Sequence, residues 1–249
     1  MWNQAARAWE EIYEPQRFPL FEEIFDACGV VNGTHFLDAG CGSGGLSLSA
    51  SHRGARVAGF DISEEMAARA LAKVADGDFR VGDLNASPYE DDIFDVTIAS
   101  ECLFLSPDPV GAIRELNRVC KGKGRIGIAV FGEPEFSDES RMFASIYAIL
   151  PELPKISLLA LSSDGVLENL IAKAGLKTDD VRTLHCSFQF ESFDKFWAMV
   201  RSFAGFQSMI GVVGEEKVHA AALAGAKPSI NDAGELRFNN AYRLVIARR

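Results

Sequence analysis

A glycine-rich stretch between an apolar run and a helix-forming segment constrains this chain most: Leu37-Asp38-Ala39-Gly40-Cys41-Gly42-Ser43-Gly44-Gly45. A turn of this kind lets the backbone come close to a ligand, and the helix behind it offers its N-terminal end. Gly40, Gly42 and Gly45 also fit the dinucleotide spacing G-x-G-x-x-G, so the glycines alone do not choose the ligand. Asp38 separates the options. A fixed carboxylate at the root of the loop opposes a pyrophosphate and suits a ligand with positive groups, such as an ammonium beside a sulfonium.

Around this loop, short apolar runs alternate with segments of helical period, the pattern of a parallel α/β sheet. Strands are expected at Thr34–Asp38, Arg56–Phe60, Phe79–Val81, Asp95–Ser100, Arg125–Phe131, Val181–Phe190 and Ala241–Ala247. Ser63 is placed to cap a helix whose first turn carries Glu64 and Glu65, and Pro107–Cys120 reads as the helix after the fourth strand. The expected class is a seven-stranded doubly wound, Rossmann-like α/β sheet with its last strand antiparallel. Residues 1–30, with Trp2, Trp9, Tyr13 and Phe18, form an amino-terminal helical arm, and 31–136 are the cofactor-binding half. Segments 137–161, broken by Pro151 and Pro154, and 192–237 are too long for simple connections and read as helical lids. The whole of 1–249 is expected to be one domain.

Composition narrows the partners. The net charge of −10 argues against nucleic acid, whose phosphates are held by clustered Lys and Arg. The densest basic run, Lys121-Gly122-Lys123-Gly124-Arg125, reads as a solvated turn before a strand. The five cysteines stand singly, which fits reduced thiols in a cytoplasmic protein and gives no metal-site spacing. No run approaches the ~20 apolar residues of a membrane span. A homodimer is compatible with the sequence.

Taken in order, the motifs resemble those of the class I S-adenosylmethionine-dependent methyltransferases, most of all the small-molecule branch that includes ubiquinone and menaquinone biosynthesis enzymes. Leu37–Gly44 resembles that family's first motif, Val57-Ala58-Gly59-Phe60-Asp61-Ile62-Ser63 its second-strand motif, and Gly82-Asp83-Leu84 its third. Phe94-Asp95-Val96 begins the fourth strand, and Glu115-Leu116-Asn117-Arg118-Val119 resembles the helix before the fifth. The likeness implies S-adenosylmethionine as cofactor and S-adenosylhomocysteine as product. It assigns the methionine end to Gly40, Gly42 and Gly44, the ammonium to Asp38, the ribose to Asp61 with Ile62 beside it, and adenine to Asp83 and Leu84. Ser100 falls near the methionine tail, and Tyr13 folds over the cofactor from the arm.

The chemistry expected is methyl transfer to a small, largely apolar acceptor. A base is needed only if the acceptor arrives protonated, and Glu101, just past the fourth strand, is the residue placed to act as one or to orient an acceptor. A solvated loop carboxylate is the competing reading of Glu101. Phe190, Phe193 and Trp197 from one insertion and Tyr147 from the other are the expected acceptor wall, although helical spacing alone would give much of this set a packing role. Two other functions stay open: a nicotinamide-dependent oxidoreductase, which would also place Asp61 on a ribose, and a cofactor-binding protein without turnover.

Overall fold

The computed structural model describes residue 7 and residues 9–153 and 157–249; Trp2 and Pro154 lie outside the described residues. Seven strands form one sheet: β1 (His35–Ala39), β2 (Arg56–Asp61), β3 (Asp78–Val81), β4 (Phe94–Ser100), β5 (Cys120–Phe131), β6 (Lys177–Phe190) and β7 (Leu236–Arg248), in the order β3-β2-β1-β4-β5-β7-β6. The first five are parallel, and β7 runs antiparallel to both β5 and β6. The expected Rossmann-like sheet with an antiparallel last strand is what the chain forms. Phe36, Leu37, Ile98, Ile128 and Val245 are fully covered, as strands sandwiched between helical layers must be.

Nine α-helices of the described residues surround the sheet: α1 (Phe18–Cys28), α2 (Gly45–His52), α3 (Glu64–Lys73), α4 (Pro109–Val119), α5 (Asp138–Tyr147), α6 (Val166–Lys173), α7 (Phe193–Val200), α8 (Ala204–Val213) and α9 (Glu215–Ala226). The Ser63 hydroxyl accepts the Met66 N–H at 3.2 Å, giving α3 the cap its sequence promised. The fourth-strand helix begins two residues later than expected, because Asp108 accepts the Gly111 N–H at 2.9 Å and acts as N-cap. Insertion 137–161 contributes α5, and 192–237 contributes α7, α8 and α9.

Three strands differ from expectation, all on one side of the sheet. β5 begins at Cys120: Phe94 pairs with Cys120 and Val96 with Arg125, so Lys121–Gly124 loop out of the ladder and Lys121 pairs with Asp95 at 2.8 Å. β6 and β7 are longer than their apolar cores and form a ribbon paired from Lys177↔Arg248 to Phe190↔Leu236. Polar residues such as Gln189 and Asn239 pair within this ribbon, so its ends carry no apolar signal. All five cysteines are buried. Burial pushes their thiols up, Cys28 to about 12 and Cys120 and Cys186 to about 11. Among the described residues no single helix is long and apolar enough to cross a membrane.

The strand order reverses direction between β1 and β4. Ligands of open α/β sheets bind outside the carboxyl ends of the strands at such a point, and the glycine loop, Asp61, Asp83 and Ser100 all lie at those ends.

Candidate active site

The loop between β1 and α2 is held by the end of β2. The Gly40 and Cys41 N–H groups both donate to the Phe60 carbonyl, at 2.8 and 2.9 Å. The Gly42 N–H donates to Asp61 Oδ2 at 3.0 Å and the Ser63 N–H to Asp61 Oδ1 at 2.8 Å, so Asp61 is oriented by backbone on both sides. Gly40 has φ +74°, and a Cβ there would lie 2.9 Å from the Cys102 side chain. Gly44 has φ +89° and precedes α2; a Cβ there would meet the Ala70 Cα at 2.7 Å, so this glycine serves the approach of α2 to α3.

Asp38 is almost wholly buried and accepts the Ser47 hydroxyl at 2.7 Å. Burial lifts its carboxyl to about 7; the nearby Glu14 and Asp61 charges add to the rise and the Ser47 bond opposes it. Asp61 is raised by burial against its two N–H donors. Asp83 accepts the Asn85 N–H at 2.8 Å in a short turn.

A cavity of about 290 Å³ opens over this loop, and its wall brings together Asp38, Gly40, Gly42, Asp61, Ile62, Asp83, Leu84 and Ser100. The Ser100 hydroxyl is buried there with no hydrogen-bond partner. Gly44 is not in this wall, for the packing reason just given. Nor is Tyr13; the arm residues placed here are Trp9, Glu14, Arg17 and Phe21. No cluster of His, Cys, Asp and Glu among the described residues could hold a metal.

The arm supplies two residues that sequence reasoning missed. Glu14 is buried, and its Oε1 accepts the Gly45 N–H at 2.9 Å and the Ser43 hydroxyl at 2.8 Å. Its other oxygen takes the Lys73 ammonium, and Glu10 pairs with Arg69. A carboxylate at the first turn of α2 satisfies an orphan N–H and sits at the favourable end of the helix dipole. Arg17, 1% exposed, grips Glu101 with Nε at 2.8 Å from Oε1 and Nη2 at 2.7 Å from Oε2. Its guanidinium lies 3.9 Å from the Tyr13 ring centroid and 4.7 Å from that of Phe188. Glu101 itself has φ +54°, unusual for a residue with a side chain. No local signal marks this pair, since its members are 84 positions apart.

A second cavity of about 590 Å³ shares Trp9, Arg17, Glu101 and Leu105 with the first. Its wall includes Tyr13, Phe104, Phe131, Phe143, Tyr147, Phe196, Phe203, Phe206 and Met209. Of the four expected wall residues, Tyr147 lines it. Phe190, Phe193 and Trp197 lie behind: Phe190 packs on Phe196 and Phe238, at centroid distances of 5.0 and 6.5 Å, while Phe193 and Trp197 pack on His219 at 5.4 and 5.1 Å. They hold the lid together, and Phe196, Val200, Phe203 and Phe206 present the inner surface.

This sheet order and this loop define the class I methyltransferase architecture. Residues 37–128 match the family described as "Methyltransferase domain". Among curated relatives, the demethylmenaquinone methyltransferase of Renibacterium salmoninarum is 32% identical over 136 residues, covering 54% of this chain and 56% of that protein. The chain spans about half the length of the curated relatives it matches. Among solved structures, YcgJ of Bacillus subtilis superposes with a TM-score of 0.65 at 19% identity, covering 92% of this chain and 98% of that one. An S-adenosylmethionine-dependent methyltransferase of Aquifex aeolicus gives 0.54 at 21%, covering 67% and 86%. At these identities the superpositions show a shared fold. The domain match over residues 37–128 and the shared fold together support a class I S-adenosylmethionine-dependent methyltransferase.

Proposed function

We propose that the chain transfers the methyl group of S-adenosylmethionine to a small, largely apolar acceptor. One observation carries this reading: two cavities meet at Trp9, Arg17, Glu101 and Leu105, the first walled by the motif carboxylates and glycines, the second by aromatic rings. The first fits the cofactor on two counts, the unpartnered buried hydroxyl of Ser100 and the carboxylates of Asp38 and Asp61 in one wall. Asp38 would hold the ammonium, Asp61 the ribose hydroxyls, Asp83 and the Leu84 N–H the adenine, and Ser100 with Gly40 and Gly42 the methionine end. When bound, the sulfonium supplies an electrophilic methyl group and a good leaving group. The protein's work is alignment of the acceptor and exclusion of water.

Glu101 takes a positioning role in this reading, because both its oxygens already accept from Arg17. The name of the Renibacterium relative agrees with an apolar ring-bearing acceptor. Residues 1–249 then act as one domain of the cytoplasm, with 1–30 as arm, 31–136 as cofactor half, and 137–161 and 192–237 as acceptor walls. Calorimetric titration of S-adenosylhomocysteine into wild type and Asp61→Ala tests the assignment. We expect micromolar binding, about −8 kcal/mol at 1 μM, weakened at least tenfold by the substitution. A wild type that ignores S-adenosylhomocysteine but is stabilised by NADPH would replace this reading with the oxidoreductase. Turnover to S-adenosylhomocysteine across an acceptor panel distinguishes an enzyme from a binding protein.

A further inference from the structure

Glu139 lies in the wall of the second cavity, in the first turn of α5, and is fully buried. Its Oε2 accepts from the Tyr242 hydroxyl and the Asn240 amide, each at 3.4 Å, while Oε1 has no hydrogen-bond partner. Asn240 is fixed for this task, since its Oδ1 already accepts the Glu139 N–H at 2.9 Å. A carboxyl group with one oxygen anchored and the other bare, in a wall of rings, is the arrangement of a ligand contact. Leaving such an oxygen unmade is costly to a folded protein.

The charges around Glu139 are committed elsewhere. On its own helix Asp138 and Arg141 pair at 2.8 Å. Across the cavity Arg17 and Glu101 neutralise each other, and Tyr242 of β7 feels both of them as well as Glu139. Arg243 of β7 is taken by Asp164 and Glu168. The face of α9 buried beside α5 is Val218, Ala222, Gly225 and Ala226, α8 carries no charged residue, and Asp194 and Lys195 of α7 are exposed. Glu152 lies in the cavity wall but is exposed. No cation is therefore aimed at Glu139, and burial lifts its carboxyl to about 8 against the Tyr242 bond. With Oε2 receiving two donors, the proton belongs on Oε1.

We infer that Glu139 selects the acceptor by donating a hydrogen bond from Oε1 to a carbonyl oxygen on an otherwise apolar molecule in the second cavity. Calling that molecule the methyl acceptor rests on the methyltransferase reading; the binding preference does not. The test compares 1-tetralone with tetralin, which has the same rings without the carbonyl, by calorimetry on the full chain with S-adenosylhomocysteine present. At pH 6.5 the ketone should bind at least tenfold more tightly, and this preference should fade above pH 8 as the donor ionises. Glu139→Gln, whose amide still donates, should keep the preference at every pH. Glu139→Met should bind both probes alike. Equal affinities in the wild type, a preference that survives in Glu139→Met, a preference indifferent to pH in the wild type, or binding of neither probe would each overturn the inference. S-adenosylhomocysteine titrated alone reads out the cofactor assignment separately: if it fails to bind while the ketone preference holds, the methyltransferase reading falls and the carbonyl site stands.

Discussion

Glu101 is constrained twice, by a left-handed backbone at the end of β4 and by the guanidinium fork of Arg17. Both partners are nearly sealed from water, at 1% and 6% side-chain exposure. A buried charge left alone is far worse than the pair or than two apolar groups. Arg17→Met should therefore cost about 3–5 kcal/mol of stability in chemical denaturation, and adding Glu101→Leu should recover much of the loss. A double variant no more stable than Arg17→Met would mean that the pair is not the reason Arg17 matters. At this scale the sequence is informative where chemistry is local. Asp61, Asp83 and the loop glycines lie within a few residues of strand ends that apolar runs announce. Arg17 and Glu14 act across folds of the chain, and a lone Arg or Glu in a helical arm looks like solvated surface until the arm is docked.

Two elements set how the site is closed. The arm is tied to the glycine loop by Glu14, which reaches Gly45, Ser43 and Lys73. Glu14→Ala removes an N-terminal helix acceptor, worth about 1 kcal/mol in ordinary helices, and leaves Lys73 with Glu10 at 3.4 Å as its ion-pair partner. The expected result is a loosened arm: limited trypsin digestion should cut after Arg17, buried in the wild type, several-fold faster. Unchanged cleavage would show that the Arg17–Glu101 and Glu10–Arg69 pairs and the aromatic contacts of Trp9 and Tyr13 hold the arm without Glu14. The lid shows where periodicity stops helping. The spacing of Phe193, Phe196, Trp197 and Val200 correctly marks an apolar helix face. That face is split between a cavity and the lid's own core, and only packing against Phe238 and His219 decides which ring goes where. The polar ends of β6 and β7 were illegible for a similar reason, since pairing rather than burial orders them.

Over the whole molecule, two buried acids bend the dependence of stability on pH. Asp38 and Glu139 have folded-state values of about 7 and about 8, above the ordinary carboxylate range. Between the unfolded and folded values the unfolded chain has lost a proton that the folded chain retains, so stability falls as pH rises through that window. For Glu139 the window runs from 4.5 to about 8, a contribution on the order of 5 kcal/mol. Glu139→Gln removes the ionisation. Its melting temperature should exceed the wild type's by roughly 10–20 °C at pH 8 and approach it near pH 5, at about 2–4 °C per kcal/mol for a chain of this size. A difference that does not change with pH would place the effect in packing instead.

The sealed cysteines have a practical consequence. With every thiol buried and its proton tightly held, the folded protein should be silent to a disulfide reagent such as dithionitrobenzoate, and all five groups should react once it is denatured. A single cysteine introduced at the exposed Glu11 would then be the sole reactive handle in the native state. A fluorophore placed there would report the position of the arm in real time, without first stripping the protein of its own sulfur.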